Sequence, residues 1–278
     1  MLFEVKNIYC KYPLSNAPVL HIEDLVINNG ALTVFIGPSG VGKSTLLETL
    51  GLMTNTIQMN QACTFKFYTD NSHVDIIKLW SMGDYVLSKF RESNYSFIFQ
   101  NTNLFDNLSC IENAFLPLLL NGNSRAESIQ KIRNIFTELN LPNDISLNHP
   151  ISKWSGGQRQ RLSFARALSS NFKVLFADEP TGNLDVGNAQ NVISIIKSRL
   201  SNDQSNSFSA IIVTHDINLA LHFADSIVVI HRTKGLEYGI ISMNHIFDRV
   251  DENTWSNRLK TSVYTHDMFL SYLKGFFS

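Results

Sequence analysis

The stretch GPSGVGKST, residues 37–45, constrains this chain more than any other segment of its length. It fits the pattern G-x-x-x-x-G-K-[ST] and stands between the apolar, β-branched run ALTVFIG and a segment with apolar residues at helical spacing. Glycines in this pattern let successive backbone N–H groups face an anion at the start of a helix. The sequence therefore predicts a strand, a phosphate-binding loop and a helix; a chance glycine-rich turn is the alternative.

This loop supplies most of the predicted nucleotide contacts. Lys43 is expected to reach the β- and γ-phosphates, and the Ser44 hydroxyl is expected to ligate Mg²⁺. The predicted phosphate-binding residues are Gly37, Pro38, Ser39, Gly40, Val41, Gly42, Lys43, Ser44 and Thr45.

A second apolar run, FKVLFADEP, ends in the two carboxylates Asp178 and Glu179. A strand this apolar is expected in the centre of a sheet, beside the phosphate loop. Asp178 is then predicted to hold Mg²⁺, while Glu179 orients and deprotonates the attacking water. A solvated acidic strand end is the alternative.

Polar side chains also end two further predicted strands. Gln100 ends YSFIFQ, and His215 follows AIIVT. Both would arrive at the same sheet edge as the phosphates, where each could touch Mg²⁺, water or the γ-phosphate. Taken singly, either residue could equally be an ordinary surface residue.

The stretch WSGGQRQRLSFARAL, residues 154–168, resembles a second anion site. Ser155, Gly156 and Gly157 precede a helix, so a hydroxyl, free N–H groups and a positive dipole end come together. A serine-capped helix start is the alternative interpretation.

The order of these elements predicts an α/β fold with a mostly parallel sheet. LFEVKNIYCKY and VLHIEDLVI alternate apolar and polar residues, which predicts an N-terminal antiparallel β region. Residues 111–141 are expected to be helical, with breaks at Pro117, Asn121 and Pro142, and to form an inserted lobe. Within residues 54–91 only TFKFY is predicted as a strand.

Taken in order, these motifs resemble those of the nucleotide-binding proteins of ABC transporters, over about residues 1–232. GPSGVGKST, the FQ of FIFQ, WSGGQ, VLFADEP, GNLD and the TH of IIVTHD occur in the order and spacing of that family. ADEPTGNLD followed by GNA, and FQNTNLFDNLSCIENAFLPLLL, resemble the macrolide-exporter and lipoprotein-release branch. The resemblance implies a P-loop NTPase core at about 1–100 and 163–232, a helical subdomain at about 101–162, and a C-terminal extension at 233–278.

The resemblance also implies residue roles and a dimer. Two copies would sandwich two ATP molecules, so that Ser155 and Gly157 of one copy face the nucleotide held by the other. Glu179 would be the general base, and His215 would contact the γ-phosphate. The dimer would be a homodimer or a heterodimer of ABC ATPases.

Three further residues receive roles from the resemblance. Gln100 would sense Mg²⁺ and the γ-phosphate, and Asp185 of GNLD would lie at the dimer seam. Tyr12, expected ahead of the first strand pair, would stack on adenine; a packed strand tyrosine is the alternative.

Three features depart from the family pattern. Trp154 replaces the usual leucine of the signature, which is expected to alter packing and not ATP contact. Residues 58–91 lack the familiar glycine-containing β-hairpin pattern. The tail beyond about Arg232 ends with Phe269, Leu273 and Phe276 at helical spacing, which predicts an amphipathic helix docked on its own domain or, alternatively, on a partner.

Composition narrows the function classes. Lys plus Arg number 23 against 24 Asp plus Glu, so no nucleic-acid partner is expected. The apolar run at 114–120 is far shorter than the roughly 20 residues of a membrane span, so a membrane role requires a partner.

Three functions follow as hypotheses. The first is a transporter motor for integral membrane permease subunits, at the cytoplasmic face of the inner or plasma membrane, acting in export or in lipoprotein or peptide extrusion. Its coupling surface is expected between Gln100 and Leu120, lined by residues such as Phe105, Phe115 and Leu118; burial in the core is the alternative for each of these three. The second is a soluble ATPase of the same dimeric type. The third is an ATPase that gates a membrane complex without transport.

Overall fold

Two β-sheets and a set of helices make up the part of the chain that the computed structural model describes, which is residues 1–58, 62–69, 72–142, 150–202, 208–233 and 235–277. The strands are β1 (Phe3–Cys10), β2 (Leu20–Ile27), β3 (Leu32–Ile36), β4 (Ile57–Gln58), β5 (Thr64–Thr69), β6 (Ser72–Asp75), β7 (Tyr95–Ile98), β8 (Val174–Asp178), β9 (Ser209–Thr214), β10 (Ser226–Val229), β11 (Gly239–Ile241), β12 (Ile246–Asp251), β13 (Thr254–Asn257) and β14 (Val263–Thr265). The helices are α1 (Lys43–Leu50), α2 (Ile76–Trp80), α3 (Asp84–Asn94), α4 (Cys110–Leu120), α5 (Arg125–Glu138), α6 (Gly156–Ser169), α7 (Val186–Asn202), α8 (Ile217–Phe223) and α9 (His266–Lys274).

The smaller sheet is the predicted N-terminal β region. Its strands follow the order β11-β2-β1-β5-β6, with β4 also pairing β1, and all pairs except β11 with β2 are antiparallel. The predicted strand TFKFY lies within β5, which pairs with β6 as a hairpin. A hairpin therefore exists here without the glycine-containing pattern; residues 70 and 71 between the two strands lie outside the described residues.

The larger sheet carries the predicted parallel core. Its order is β14-β13-β12-β10-β3-β9-β8-β7, and β10, β3, β9, β8 and β7 run parallel to one another. β8, the strand that ends in Asp178, has a neighbouring strand on each side, and Asp178 lies beside the phosphate loop as expected, with its Oδ2 3.3 Å from the Ser44 hydroxyl. β9 lies between β3 and β8, because both β3 and β8 pair with it along their full lengths.

Both faces of this parallel core are covered, as its continuous apolar strands require. Leu32, Val34 and Ile36 of β3 point into a core that they share with helices, whereas Phe35 points into a second core shared with the smaller sheet. The alternation follows from the two-residue period of a strand. The loop after β3 is thus attached to a fully buried strand.

Helices α4, α5 and α6 pack against one another, and each begins with a serine cap. Ser109 of α4, Ser124 of α5 and Ser155 of α6 all make capping boxes with the residue three positions later. The predicted break at Pro117 is wrong, since α4 continues through it to Leu120. Phe115 and Leu118, on either side of the proline, are buried, and this packing offsets the lost backbone hydrogen bond.

The residues after 232 extend both sheets. β11 pairs with β2 in the smaller sheet, and β12 pairs with β10 in the larger one. Arg258 joins these parts: it donates to both Asp248 carboxylate oxygens, at 2.9 and 2.6 Å, and to the carbonyl oxygen of Val26 in β2. The predicted domain limit at residue 232 therefore does not divide the sheets, since strands on either side of it pair with one another.

The predicted C-terminal helix is α9, and it docks on its own chain. Phe269 and Leu273 are fully buried in the helix-side core, with Phe247 and Trp255 of the added strands. Phe276, the third residue of the predicted apolar face, is half-buried. No helix within the described ranges combines the length and apolar character needed to cross a bilayer.

Replacing Leu273 with alanine tests this docking. We expect Leu273→Ala to lower the free energy of unfolding by about 2–5 kcal/mol, because it leaves a cavity in a closed core. Met268→Ala is the matched control on the exposed face of the same helix and should change stability by less than about 0.5 kcal/mol. Urea unfolding measures both, and equal effects would contradict the docked position of α9.

Candidate functional site

The phosphate loop connects the end of β3 to the start of α1. Gly40 and Gly42 have φ angles of 72° and 107°, a region that side-chain-bearing residues rarely adopt. Lys43, the first residue of α1, folds back over the loop and donates to the carbonyl oxygens of Gly37 at 2.8 Å and Pro38 at 3.0 Å. The Lys43 ammonium therefore already lies where the loop would meet phosphate.

Two charged groups beside the loop are desolvated. Burial lowers the pKa of Lys43, opposed by the nearby carboxylates of Glu179 and Asp178. Burial raises the pKa of Asp178, opposed by the hydrogen bond from the Ser44 hydroxyl, which lies 3.3 Å from its Oδ2. Oxygen atoms of Ser44 and Asp178 are of the type that Mg²⁺ prefers.

Glu179 is held in an unusual backbone conformation one residue past β8. Its φ is 45°, and its N–H donates to the Val213 carbonyl oxygen at 2.9 Å. Glu179 Oε1 lies 2.9 Å from His215 Nδ1, and Thr214 Oγ1 donates to Oε2 at 3.1 Å. The structure thus brings two separately predicted site residues, Glu179 and His215, into direct contact, with His215 largely exposed and Glu179 mostly covered.

Thr214 is a site residue that the sequence analysis missed. It is buried at the last position of β9 and donates to Glu179, while its hydroxyl oxygen also accepts from the Asp216 N–H at 3.1 Å. Its place directly before His215 at a strand end was the available signal.

The signature segment begins helix α6. The Ser155 hydroxyl accepts from the Gln158 N–H at 3.2 Å, while the Gln158 side chain accepts from the Ser155 N–H at 2.9 Å. Ser155 and Gly156 remain exposed, so the cap leaves this helix start open to another molecule. The cap interpretation is confirmed, and the anion site stays a prediction for this accessible helix N-terminus.

Behind the exposed signature start, its neighbours pack inward. Trp154 is buried in the helix-side core. Gln160 donates to the carbonyl oxygen of Pro180 at 2.9 Å, so α6 contacts the segment after Glu179. A β-carbon on Gly157 would lie 3.4 Å from the Asn183 carbonyl oxygen in the same segment.

The remaining predicted residues lie around this centre. Gln100 is exposed two residues after β7 and borders a cavity of about 380 Å³ together with Gly156 and Asn183. Asp185 accepts from the Asn188 N–H at 2.9 Å and from its side-chain amide at 2.6 Å, which lowers the pKa of Asp185 and caps α7.

Tyr12 follows β1, so its expected position ahead of the first strand pair is wrong. Its hydroxyl donates to Glu48 Oε2 at 2.9 Å and lies 3.3 Å from Thr45 Oγ1. Both partners belong to α1, and the Tyr12 ring is half-buried next to the phosphate-loop helix. Tyr12 is thus near the predicted nucleotide.

Fewer residues than predicted are exposed on the surface proposed for a membrane partner. Phe115 and Leu118 are only 3% exposed and belong to the core, whereas Phe105 is 49% exposed. Leu120, at the end of α4, is 73% exposed.

Comparison with known proteins identifies the family. The sequence profile described as ABC transporter matches residues 20–182, which include the phosphate loop, the signature and both carboxylates. The chain belongs to this family. ATP binding and hydrolysis are therefore its general activity, and the predicted family resemblance is confirmed.

Relatives within the ABC transporter family support the predicted branch. The lipoprotein-releasing system ATP-binding protein LolD of Desulfotalea psychrophila is 33% identical over 221 residues, which is 79% of this chain and 92% of that protein. The macrolide export ATP-binding/permease protein MacB of Pasteurella multocida is 32% identical over 82% of this chain. The chain spans only 32% of that MacB protein.

A solved structure supports the fold of this ABC transporter cassette. It is an ATP-binding cassette of Methanocaldococcus jannaschii, determined as a dimer in a post-hydrolysis state bound to ADP and Pi. It is 28% identical, with a TM-score of 0.68, and the match covers 82% of this chain and 94% of that chain. The predicted α/β fold class is confirmed.

The buried carboxyl of Asp178 yields a pH-dependent prediction. Its pKa is raised in the folded state above the unfolded value of about 3.9. Between these two pKa values the folded state binds more protons than the unfolded state, so stability falls as the pH rises. We expect Asp178→Asn to raise the thermal midpoint of the nucleotide-free protein at neutral pH, because it removes a desolvated charge.

This gain should shrink as the pH falls through the raised folded pKa toward about 4, because the folded wild-type carboxyl then binds a proton and no longer carries a desolvated charge. Thermal unfolding between about pH 4 and pH 8 measures it. A midpoint that falls, or a gain that does not depend on pH, would contradict the proposed electrostatic cost of Asp178.

Proposed function

We propose that this chain is the ATP-hydrolysing motor subunit of an ABC exporter. Two copies, or this chain and a related ATPase, close around two ATP molecules and drive separate permease subunits in the membrane. The observation that carries the proposal is the contact of Glu179 with His215 and Thr214 beside the phosphate loop, in a chain whose signature start is exposed.

The phosphate loop is proposed to bind the triphosphate through the residues at 37–45. Lys43 exchanges its two carbonyl partners for phosphate oxygens, and the N-terminus of α1 adds the positive end of its dipole. Tyr12 lies against the adenine, and its hydroxyl bonds to α1 keep it next to the loop. The charges of the bound nucleotide and Mg²⁺ would offset the free-energy cost of burying the charged forms of Lys43 and Asp178.

Mg²⁺ would be held by Ser44 and Asp178, with Gln100 as a further ligand and sensor. Bound there, it would neutralise charge on the β- and γ-phosphates. The 3.3 Å separation between the Ser44 hydroxyl and Asp178 supports this set, and Gln100 follows a parallel strand whose end lies at the same edge.

Hydrolysis is proposed to use Glu179 as general base. Its carboxylate takes a proton from the attacking water while the water oxygen bonds to the γ-phosphorus and the bond to the ADP oxygen breaks. Thr214 and His215 hold the carboxylate by its two oxygens, which fixes its direction. His215, 72% exposed in its side chain, is free to meet the γ-phosphate.

The signature is proposed to complete the site of the other copy. Ser155 and Gly157 present a hydroxyl and N–H groups at the start of α6, and Asp185 lies at the dimer seam. Gln160 bonds to the segment at 180–184, and Gly157 lies close to it. Because this segment directly follows Glu179, a γ-phosphate bound by the signature is coupled through it to the base. The relative from Methanocaldococcus jannaschii was solved as a dimer.

The partners and location are part of the same proposal. The chain acts peripherally at the cytoplasmic face of the inner or plasma membrane, with integral permease subunits and no nucleic acid. Exposed Phe105 and Leu120 support an apolar contact with a permease. We further propose the division into a core at about 1–100 and 163–232, a helical subdomain at about 101–162, and an extension at 233–278.

Glu179→Gln separates binding from hydrolysis. We expect ATP binding to remain, turnover to fall by about 10²–10⁴-fold, and an ATP-dependent dimer to accumulate, because the amide keeps the shape but takes no proton. Steady-state phosphate release and size-exclusion chromatography with ATP measure these effects. Glu92→Gln, an exposed surface carboxylate, is the control, and near-normal turnover of Glu179→Gln would remove it from the base role.

Mixing two inactive variants tests action across the dimer. Lys43→Ala disables the phosphate loop, whereas Ser155→Asp keeps a good helix cap but places a negative charge toward phosphate. We expect each variant alone to be inactive and a one-to-one mixture to recover up to about a quarter of wild-type turnover, because half of the dimers hold one intact composite site.

Ser124→Asp, at the similarly capped start of α5, is the matched control and should stay active. A mixture without any recovered ATP hydrolysis would show that the signature does not complete the partner's site.

A further inference from the structure

The outer side of the phosphate loop is covered by residues just after β10 and at the start of β11. Arg232 Nη2 donates to the Gly40 carbonyl oxygen at 2.6 Å. Gly239, the first residue of β11, approaches so closely that a β-carbon there would overlap the Val41 carbonyl oxygen. Two consecutive loop carbonyl groups therefore face this covering segment.

Hydrogen bonds and ring contacts hold the backbone next to Arg232 in place. The neighbouring His231 exchanges hydrogen bonds with Ile240, at 3.3 and 2.8 Å, and the Gly239 N–H donates to the Val19 carbonyl oxygen at 2.9 Å. The His231 ring packs on the His245 ring with centroids 3.9 Å apart, and the Phe276 ring lies 6.1 Å from His231. Arg232 is exposed, whereas His231 is half-buried and Gly239 and Ile240 are buried.

The geometry of a peptide links this outer contact to the inner face of the loop. In a trans peptide the carbonyl oxygen and the following N–H point in opposite directions. A Gly40 carbonyl held outward by Arg232 therefore directs the Val41 N–H toward the other side of the loop. Gly40 has a φ of 72° and no side chain to fix its orientation, so an external partner is needed to favour one orientation of this peptide.

We propose that Arg232 is a positioning residue for ATP binding: its guanidinium holds the Gly40 carbonyl outward and so pre-orients the Val41 N–H toward the phosphates. The positive charge of Arg232 also adds to the favourable potential for a polyanion. Arg232 touches neither the base Glu179 nor the water in this arrangement. Its effect falls on nucleotide affinity, and the inference rests on the proposed ATP-binding function of the loop.

Arg232→Gln tests the inference in the full-length chain. We expect the Kd for MgATP and the KM to rise about three- to tenfold, as for the net loss of one ordinary hydrogen bond, with kcat within about twofold of wild type. Arg232→Lys, which keeps a donor and the charge, should recover part of the affinity. The thermal midpoint without nucleotide should stay unchanged, since the side chain is exposed.

Arg199→Gln is the matched control, because Arg199 also donates to a backbone carbonyl, that of Leu168, in another part of the chain. It should leave the Kd for MgATP unchanged. An unchanged Kd for Arg232→Gln, a loss confined to kcat, or a loss of affinity accompanied by a lower thermal midpoint overturns the positioning role. Failure of the wild-type chain itself to bind MgATP would instead overturn the proposed function.

Discussion

The pairing register of three parallel strands determines the geometry of the site. Ile36 of β3 pairs with Thr214 of β9, and Asp178 of β8 pairs with Val213 of the same strand. The three strands therefore end within one residue of each other. Glu179, one step past β8, comes level with Thr214, which explains why its carboxylate meets Thr214 and His215.

The same register places opposite charges in a partly desolvated setting. Lys43 and Asp178 are each disfavoured in their charged forms by burial, and each is supported by polar neighbours that a nucleotide and a cation could replace. A site of this kind is incomplete alone and gains stability from ligands of complementary charge. The ordered strands provide the rigidity that this arrangement needs.

Sequence reasoning succeeded where a motif ends a strongly apolar strand. Buried strands of similar length end at one edge of the sheet, and this pattern can be recognised in the sequence. It brings together Lys43, Asp178, Glu179 and His215. The order of the strands could not be predicted, since nothing in the sequence of β8 indicates that β9 lies between it and β3. Tyr12 was placed incorrectly because β1 already ends at Cys10, two residues before it.

The strands β12 and β13 were missed for a different reason. Each is short, and their burial depends on distant partners; the turn residues between IFDRVD and TWSN were the available signal. Pro117 led to the opposite error, a predicted helix break where the helix continues. The tertiary packing of Phe115 and Leu118 outweighs one missing hydrogen bond.

The strands that follow residue 232 also protect the core from unwanted pairing. Every residue of β10 is buried, and β12 occupies the edge that β10 would otherwise expose. A bare apolar edge strand is a template for aggregation. The extension therefore covers the edge of the ATPase sheet: its strands β12, β13 and β14 move the open edge out to β14, where Val263 and Thr265 are exposed and the hydrogen-bonding row is only three residues long.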